Sequence, residues 1–310
     1  MLLILIASLT FFIAPAGSET VPAQAADHPM DTLVTVEWLG RHLDDPDLVV
    51  LDCTVNVVMD ESGGMKSVSG RADYEKGHIP GAAFADLMVD LSDTGSPLKT
   101  ALPTPEQFCA AIGALGVGDD TRVVLYDGTY SVWAARVWWM LRWVGFDQAA
   151  ILDGGSRAWT AAEQPLATEP PDYPTRKLTP HVRPALIADR DEVFAAIDDE
   201  TVFLIDAMPE FHFQGKMALY DRPGHIPSAT NISAMALLGE SGQFLPQEKL
   251  AKMFDIDLKA RAITYCGSGI AASSTAFIMH RLGFADVAVY IASLQEWTAD
   301  PENPLVVEEP

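Results

Sequence analysis

The segment that decides the fold reads Ala262-Ile263-Thr264-Tyr265-Cys266-Gly267-Ser268-Gly269-Ile270-Ala271-Ala272. It joins a β-rich run to a helical pattern through a short turn that starts with a cysteine and contains two glycines. The helical pattern continues to Leu282 and stops at Gly283, the residue type expected just past a helix end. We therefore predict a strand, a tight loop and a helix, with the loop at the positive end of the helix dipole.

The same arrangement occurs earlier in the chain, where Asp127 takes the place of the cysteine. There a β-rich run ends at Tyr126 and a helical pattern stops at Gly145. The flanking landmarks repeat in order: Val49-Val50-Leu51-Asp52 with Phe203-Leu204-Ile205-Asp206, and Gly77-His78-Ile79-Pro80 with Gly224-His225-Ile226-Pro227. By subtraction of residue numbers, the offset falls from 154 to 147 and then stays at 139 to 138 residues. This pattern indicates a duplicated domain with loop deletions.

Each copy alternates short β-rich runs with helical patterns, which predicts an α/β fold with a mainly parallel sheet covered by helices on both faces. We place the first domain at residues 30–165 and the second, which holds the cysteine, at residues 185–303. Residues 166–184 contain five prolines without periodicity and are interpreted as the linker.

Composition narrows the range of functions. The chain has 310 residues, 49% of them hydrophobic, and a formal net charge of -23. Nucleic-acid binding requires clustered lysine and arginine, and the sequence contains no such cluster. An anionic substrate would have to meet local positive charge or aligned backbone N–H groups in the site.

The N-terminus is interpreted as an export signal over residues 1–25. An apolar run from Leu2 to Ala16 precedes a small-residue site at Ala23-Gln24-Ala25, although no lysine or arginine comes before the run. The run is short for a membrane span, and no later segment approaches one. We expect a periplasmic or secreted protein, with no membrane association once the signal is cleaved.

The three cysteines have different expected roles. Cys109 lies on an amphipathic helix and Cys53 at a strand end, and both are interpreted as packing residues. Cys266 is the candidate nucleophile, because a helix N-terminus favours the reactive thiolate form. The curled loop amides can also stabilise a bound anion as a backbone nest.

These residues resemble the tandem-domain rhodanese family, the thiosulfate and 3-mercaptopyruvate sulfurtransferases. The resemblance covers nearly all of the mature chain and depends on the paired His-Ile-Pro elements, Arg136-Val137-Trp138-Trp139, Leu152-Asp153-Gly154-Gly155 and the Cys266 loop. It implies two rhodanese-like domains, of which the C-terminal one is catalytic. It also implies transfer of sulfur from a small anionic donor to a thiol or cyanide through a Cys266 persulfide, without a metal or organic cofactor.

The resemblance assigns the persulfide and substrate loop to Gly267, Ser268, Gly269, Ile270, Ala271 and Ala272. Cys-Gly-Ser-Gly is typical of the mercaptopyruvate enzymes, but the two arginines usual in that subtype correspond here to Met208 and His212. The family's first-domain Asp and His align near Met88 and Thr100. The remaining candidates for substrate binding are Arg222, His212 and Lys216, of which arginine alone offers a bidentate clamp.

Other readings remain open. A phosphatase of the same fold would carry an arginine six residues after the cysteine, where this chain has Ala272. A non-catalytic persulfide carrier or partner-binding module is the main alternative. His78 and His225 recur in both copies, which favours a structural hydrogen bond, and Arg136 is interpreted as an anchor of the helix or the domain interface.

Overall fold

The computed structural model describes residues 30–59 and 65–308. The expected signal at residues 1–25 lies outside the described residues. Two five-stranded sheets organise the chain, and every pair of neighbouring strands within them is parallel. The α/β prediction is therefore confirmed.

The first sheet has the strand order β1-β7-β6-β2-β5. Its strands are β1 (Leu33–Val34), β2 (Leu48–Asp52), β5 (Ala82–Phe84), β6 (Arg122–Tyr126) and β7 (Ala149–Leu152). The associated helices are α1 (Val36–His42), α2 (Arg71–Tyr74), α3 (Pro105–Ala114), α4 (Val132–Trp143) and α5 (Gly155–Ala161).

The second sheet repeats this order, as β10-β9-β11-β12-β8. Its strands are β8 (Ile187–Ala188), β9 (Val202–Asp206), β10 (Thr230–Asn231), β11 (Arg261–Tyr265) and β12 (Asp286–Tyr290). The helices are α6 (Arg190–Ala196), α7 (Glu210–Phe213), α8 (Gln247–Ala251), α9 (Ile270–Arg281) and α10 (Ser293–Trp297), and 3-10 turns lie at Pro184–Leu186 and Ala234–Leu237. Each of the five strands and five helices named for the first half therefore has a counterpart in the second half.

One element breaks the repeat. An antiparallel hairpin of β3 (Val55–Met59) and β4 (Met65–Ser69) follows β2, and β9 is not followed by an equivalent in the described chain. Several of its apolar side chains are exposed, with Met59 75% and Met65 62% accessible. Such exposed apolar surface is typical of a binding region.

The two halves are held together chiefly by α4 and α9, which pack against each other along their length. Trp138 meets Phe277 edge to face, with ring centroids 4.8 Å apart. Trp139 donates its indole N–H to the carbonyl of Leu186, 3.0 Å away. Because both helices start at the loops that the sequence singled out, this packing brings the two loops to one interface.

The irregular segments after α5 and α10 play matching roles. His78 exchanges backbone hydrogen bonds with Ala167, and His225 does so with Val306. The residues after 303 thus pack on the second half, as those after 165 pack on the first. In each half this strap covers the turn that carries the repeated histidine.

Candidate active site

Cys266 follows the carboxyl end of β11, three loop residues before α9 begins, and is 2% exposed. Ligand sites of open parallel sheets form at this edge. The backbone holds the residue from both sides, because the Cys266 amide donates to Ser293 Oγ at 3.1 Å and its carbonyl accepts from Leu294 N at 3.0 Å. The cysteine therefore has a fixed position at the floor of a cleft of about 500 Å³.

The loop after Cys266 curls tightly because of its glycines. Gly269 is the N-cap of α9 and has φ 77°, a left-handed conformation that favours glycine. A side chain there would also lie 2.7 Å from the carbonyl oxygen of Ile291. The turn leaves the first N–H groups of α9 without helical partners at the cysteine.

Ser293 occupies a similarly unusual conformation, with φ 53°. Its counterpart in the first half is Gly155, where a Cβ would lie 2.2 Å from the Asp127 carbonyl. In the second half the serine hydroxyl accepts from the Cys266 amide and donates to Tyr290 O at 2.6 Å. Backbone strain at this position is thus offset by hydrogen bonds that hold the cysteine.

In the first half, the backbone amides of the equivalent loop bind a carboxylate. The Asp127 carboxylate accepts four backbone N–H bonds, from Thr129 and Ser131 on Oδ1 and from Trp133 and Ala134 on Oδ2, at 2.9 to 3.0 Å. An anion therefore fills the amide nest of the loop that lacks cysteine. In the second half the residue at that position is Cys266, so its nest is available to an anion attached to the sulfur.

The other cysteines differ from Cys266 in setting. Cys53 is fully buried, and burial with the nearby Asp52 and Asp127 charges raises its pKa well above the usual value. Burial raises the pKa of Cys109 to about 11. Both thiols remain protonated at neutral pH, and the interpretation of both as packing residues is confirmed.

The walls of the cleft are mainly apolar and come from both halves of the chain. Four methionines line it: Met65, Met88, Met208 and Met235. Among the described residues, its cationic lining consists of Lys66 on β4 and Lys99, both exposed. Tyr220 completes the wall near Cys266, and burial together with the Cys266 charge raises its pKa to about 12.

The sequence-predicted substrate residues lie apart from this lining. The Arg222 guanidinium donates to the carbonyls of Thr298, Pro301, Trp297 and Asp300, at 2.7 to 3.4 Å. These bonds make the arginine a clasp on the chain after α10, and Arg222 is not among the residues that line the cleft.

His212 and Lys216 are also outside the cleft. The His212 ring is buried and bonds the carbonyl of Met217 at 2.9 Å, while Lys216 is exposed. All six residues of the loop from Gly267 to Ala272 lie near the cysteine, and Gly267, Ser268, Ile270 and Ala271 line the cleft. Sequence reasoning missed Lys66, Lys99 and Tyr220, since nothing local to them signals a distant cysteine.

Thr100 and Met88 stand near the cleft where the sequence comparison expected a His and an Asp. The Thr100 hydroxyl donates to the carbonyls of Lys99 at 2.8 Å and Ser268 at 3.3 Å. Met88 lines the cleft. The cleft therefore has a methionine and a threonine where the resemblance aligns the family's Asp and His.

The repeated histidines have structural roles. His78 Nδ1 lies 2.8 Å from Tyr74 O, and His225 Nδ1 lies 2.7 Å from Phe213 O. Each ring stacks on an aromatic neighbour, with centroids 3.9 Å and 3.6 Å apart. The structural interpretation of both residues is confirmed.

The described chain has neither a metal-type side-chain cluster nor a membrane-spanning helix. Across residues 30–59 and 65–308, no cluster of three or more His, Cys, Asp or Glu side chains has the arrangement of a metal site. Over the same ranges, none of the helices combines the length and the apolar character required to cross a bilayer.

Comparison with known proteins places this geometry in context. The model of the rhodanese-like domain matches residues 35–162 and 189–300. A probable 3-mercaptopyruvate sulfurtransferase of Pseudomonas aeruginosa is 35% identical over 282 residues, which cover 88% of this chain and 97% of the relative. Thiosulfate/3-mercaptopyruvate sulfurtransferase 2 of Arabidopsis thaliana is 32% identical over 324 residues, covering 95% and 92%.

A solved structure is similar over the same extent. The crystal structure of SseA from Escherichia coli, described with the rhodanese fold of 3-mercaptopyruvate sulfotransferases, superposes with a TM-score of 0.76. It has 30% sequence identity and covers 85% of this chain and 99% of its own.

Proposed function

The chain belongs to the rhodanese family and is a sulfurtransferase, and from this premise we propose that it carries sulfur as a persulfide on Cys266. The observation that supports this most strongly is the Asp127 carboxylate, held by four backbone amides in the loop equivalent to that of Cys266. The outer sulfur of a Cys266 persulfide is an anion attached at the same point. The amides from Gly267 to Ala272 would stabilise it.

The first half-reaction moves sulfur onto the enzyme. The Cys266 thiolate attacks the sulfur of the donor, an S–S bond forms, and the bond from that sulfur to the rest of the donor breaks. With thiosulfate, the departing electron pair leaves as sulfite. With 3-mercaptopyruvate, it leaves on carbon as the pyruvate enolate, which takes up a proton while the persulfide releases one.

The second half-reaction returns the thiolate. An acceptor thiolate or cyanide attacks the outer sulfur, the S–S bond breaks, and its electron pair returns to Cys266. The products are an acceptor persulfide or thiocyanate. Because the nest amides are fixed in place, they need no reorganisation as the charge moves between the two sulfurs.

Among donors, we propose 3-mercaptopyruvate first and thiosulfate second. The Cys-Gly-Ser-Gly sequence and the names of the relatives favour mercaptopyruvate. Its carboxylate would meet Lys66 and Lys99, since Met208 lines the cleft in place of an arginine. Two exposed lysines hold an anion less firmly than a bidentate arginine, so we expect a high KM.

The missing arginines also support a second candidate, a persulfide carrier with slow turnover. A thiocyanate assay with each donor and cyanide separates the two functions. We expect Cys266→Ser to reduce transfer by about 10³-fold or more, because the nucleophile is lost. Cys109→Ala is the matched control and should retain transfer. Persulfide on Cys266 without turnover would support the carrier, and transfer that persists in Cys266→Ser would contradict both.

We further propose that the protein works outside the cytoplasm. The support is the apolar run and small-residue site within residues 1–25. Fractionation of the native host, with N-terminal sequencing of the mature protein, tests this. A mature chain that begins near Ala26 is expected, whereas full-length protein in the cytoplasm would contradict export.

A further inference from the structure

Arg136, on α4 of the half that lacks the cysteine, is a buried cation without a carboxylate partner. Its side chain is 0% exposed. Nη2 donates to Thr100 O at 2.8 Å, while Nε and Nη1 have no hydrogen-bond partner. None of the ion pairs among residues 30–59 and 65–308 involves it. A buried charge without a compensating partner is strongly destabilising.

The guanidinium points at the Cys266 loop. A methyl group placed on Gly269 would lie 2.9 Å from Arg136 Nη1, and Gly269 is the N-cap three residues after the cysteine. Burial lowers the pKa of Arg136 to about 10, and the negative charge of Cys266 opposes that change. Arg136 thus remains cationic at neutral pH, and the anion that acts on it is the cysteine.

The contact that holds Arg136 is itself strained. Thr100 has φ 51°, a left-handed conformation that is rare for a β-branched residue. In this conformation its carbonyl accepts from Arg136, while its hydroxyl donates to Ser268 O at 3.3 Å. One residue therefore ties the cation of the first half to the loop of the second.

The internal repeat shows that the position of Arg136 on α4 carries no cation in its counterpart on α9. At the 138-residue offset that relates Gly145 to Gly283, Arg136 corresponds to Ser274. Ser274 carries no charge, and its counterpart loop already contains the Asp127 carboxylate bound by four amides. At this pair of equivalent positions, only the helix that faces the cysteine carries a cation.

We infer that Arg136 is a positioning residue whose guanidinium is the counter-charge of the anionic sulfur on Cys266, as thiolate and then as persulfide. The inference rests on the proposed function. On this account the half without the cysteine supplies the buried positive charge of the site, which adds to the interpretation of Arg136 as an interface anchor.

The test is the pH dependence of Cys266 alkylation by iodoacetamide in the full-length protein. The other titratable groups around the loop are Tyr220, Lys66 and Lys99 of the cleft and Asp206 at the end of β9. Asp206, with its pKa raised to about 7 by burial, titrates in every variant compared. The difference between wild type and an Arg136 variant therefore isolates the effect of the guanidinium.

The informative variants are Arg136→Gln, which keeps a donor for Thr100 O, and Arg136→Lys, which keeps a charge. We expect Arg136→Gln to raise the alkylation midpoint by about one pH unit and to lower kcat/KM for thiosulfate by about tenfold. Arg136→Lys should recover most of both. Arg142→Gln is the matched control, since Arg142 lies on the same helix but pairs with Asp147 at 2.9 Å, and it should match wild type.

An unchanged midpoint in folded Arg136→Gln would overturn the inference. If Arg136→Gln does not fold, Arg136→Lys decides the question. A rise of about one pH unit in the alkylation midpoint of Arg136→Lys, the shift expected for loss of the charge, would show that the charge at this position does not set the midpoint. Alkylation needs no sulfur transfer, so its result is independent of the proposed function. Transfer without Cys266 would instead refute the proposed function.

Discussion

Asp127 and Cys266 occupy equivalent turns but satisfy the same amides differently. In Asp127 the anion is part of the side chain and is permanently bound. In the Cys266 turn, on the proposed function, the anion is the sulfur of the thiolate or of the persulfide. One residue type thus makes the first loop structural and leaves the second available for a substrate-derived sulfur.

The Asp127 nest makes a prediction about stability. Asp127→Ala removes the acceptor of four backbone N–H groups, three of them on residues that are themselves buried. Unpaired buried donors are costly, so we expect the free energy of unfolding in urea to fall by about 3 kcal/mol. Asp120→Ala, at an exposed carboxylate paired with Arg176, is the control and should change it by less than about 0.5 kcal/mol. Equal effects of the two substitutions would contradict the role of the nest.

Asp206 predicts a dependence of stability on pH. Burial raises its pKa from 3.8 to about 7, and one of its oxygens, Oδ2, has no hydrogen-bond partner. The folded protein therefore keeps this proton between about pH 4 and 7, where the unfolded chain releases it. The contribution of protonated Asp206 to the free energy of unfolding is fully present below about pH 4 and is lost as the pH rises to about 7.

Asp206→Asn removes this titration. Urea unfolding of wild type and Asp206→Asn at several pH values from about 4.5 to about 8 should show the wild type losing stability relative to the variant as pH rises. Parallel stability curves would show that Asp206 is not protonated in the folded state.

At the scale of elements, the β3–β4 hairpin distinguishes the two halves. It contributes Val57, Met65, Lys66 and Ser67 to the cleft above Cys266. This makes the first half part of the site although it carries no cysteine. The hairpin thus forms part of the cleft wall, whereas Cys266 belongs to the repeated scaffold.

Lys66 on this hairpin is predicted to attract the donor. Lys66→Glu should raise KM for 3-mercaptopyruvate by roughly tenfold with a smaller change in kcat, since it replaces attraction by repulsion in the bound state. Steady-state kinetics check this, with exposed Lys249→Glu on α8 as a control of equal charge change. If both variants raise KM equally, the effect is one of net charge and Lys66 has no special place.

The elements were predictable because their signals are local. The strands and helices around both loops were predicted from the alternation of β-rich runs with helical patterns. Gly145, Gly283 and the repeated landmarks supported the same prediction. The sequence shows the charge of Arg222 but not the carbonyls of residues 297–301 that bind it. Arg136 and Lys66 lie in the half without the cysteine and lie near Cys266 only in the folded protein, so no local pattern encodes their proposed roles.

At the scale of the whole molecule, the two halves divide the work of one site. The second half provides Cys266 and its amides, and the first provides the hairpin, Lys99 and the buried Arg136. The packing of α4 against α9 holds these parts together. The half that has Asp127 in place of the cysteine therefore still contributes a wall and positive charge to the cleft.

The net charge of -23 predicts an effect of salt on the reaction. The negative field repels an anionic donor at long range, and salt screens it over a Debye length of about 10 Å at 0.1 M. Raising ionic strength from about 0.01 to 0.2 M should increase kcat/KM, and more for dianionic thiosulfate than for monoanionic mercaptopyruvate. A decrease for both donors would show that the local lysines outweigh the overall charge.

The central claim is that sulfur rests on Cys266 between donor and acceptor. Intact-protein and peptide mass spectrometry, after exposure to each donor without acceptor, tests it most directly. We predict a single added sulfur atom on the peptide that contains Cys266, removed by cyanide and absent from Cys266→Ser. The account would be contradicted if a donor that supports turnover with cyanide added no sulfur to the protein, or added it to Cys53 or Cys109 instead.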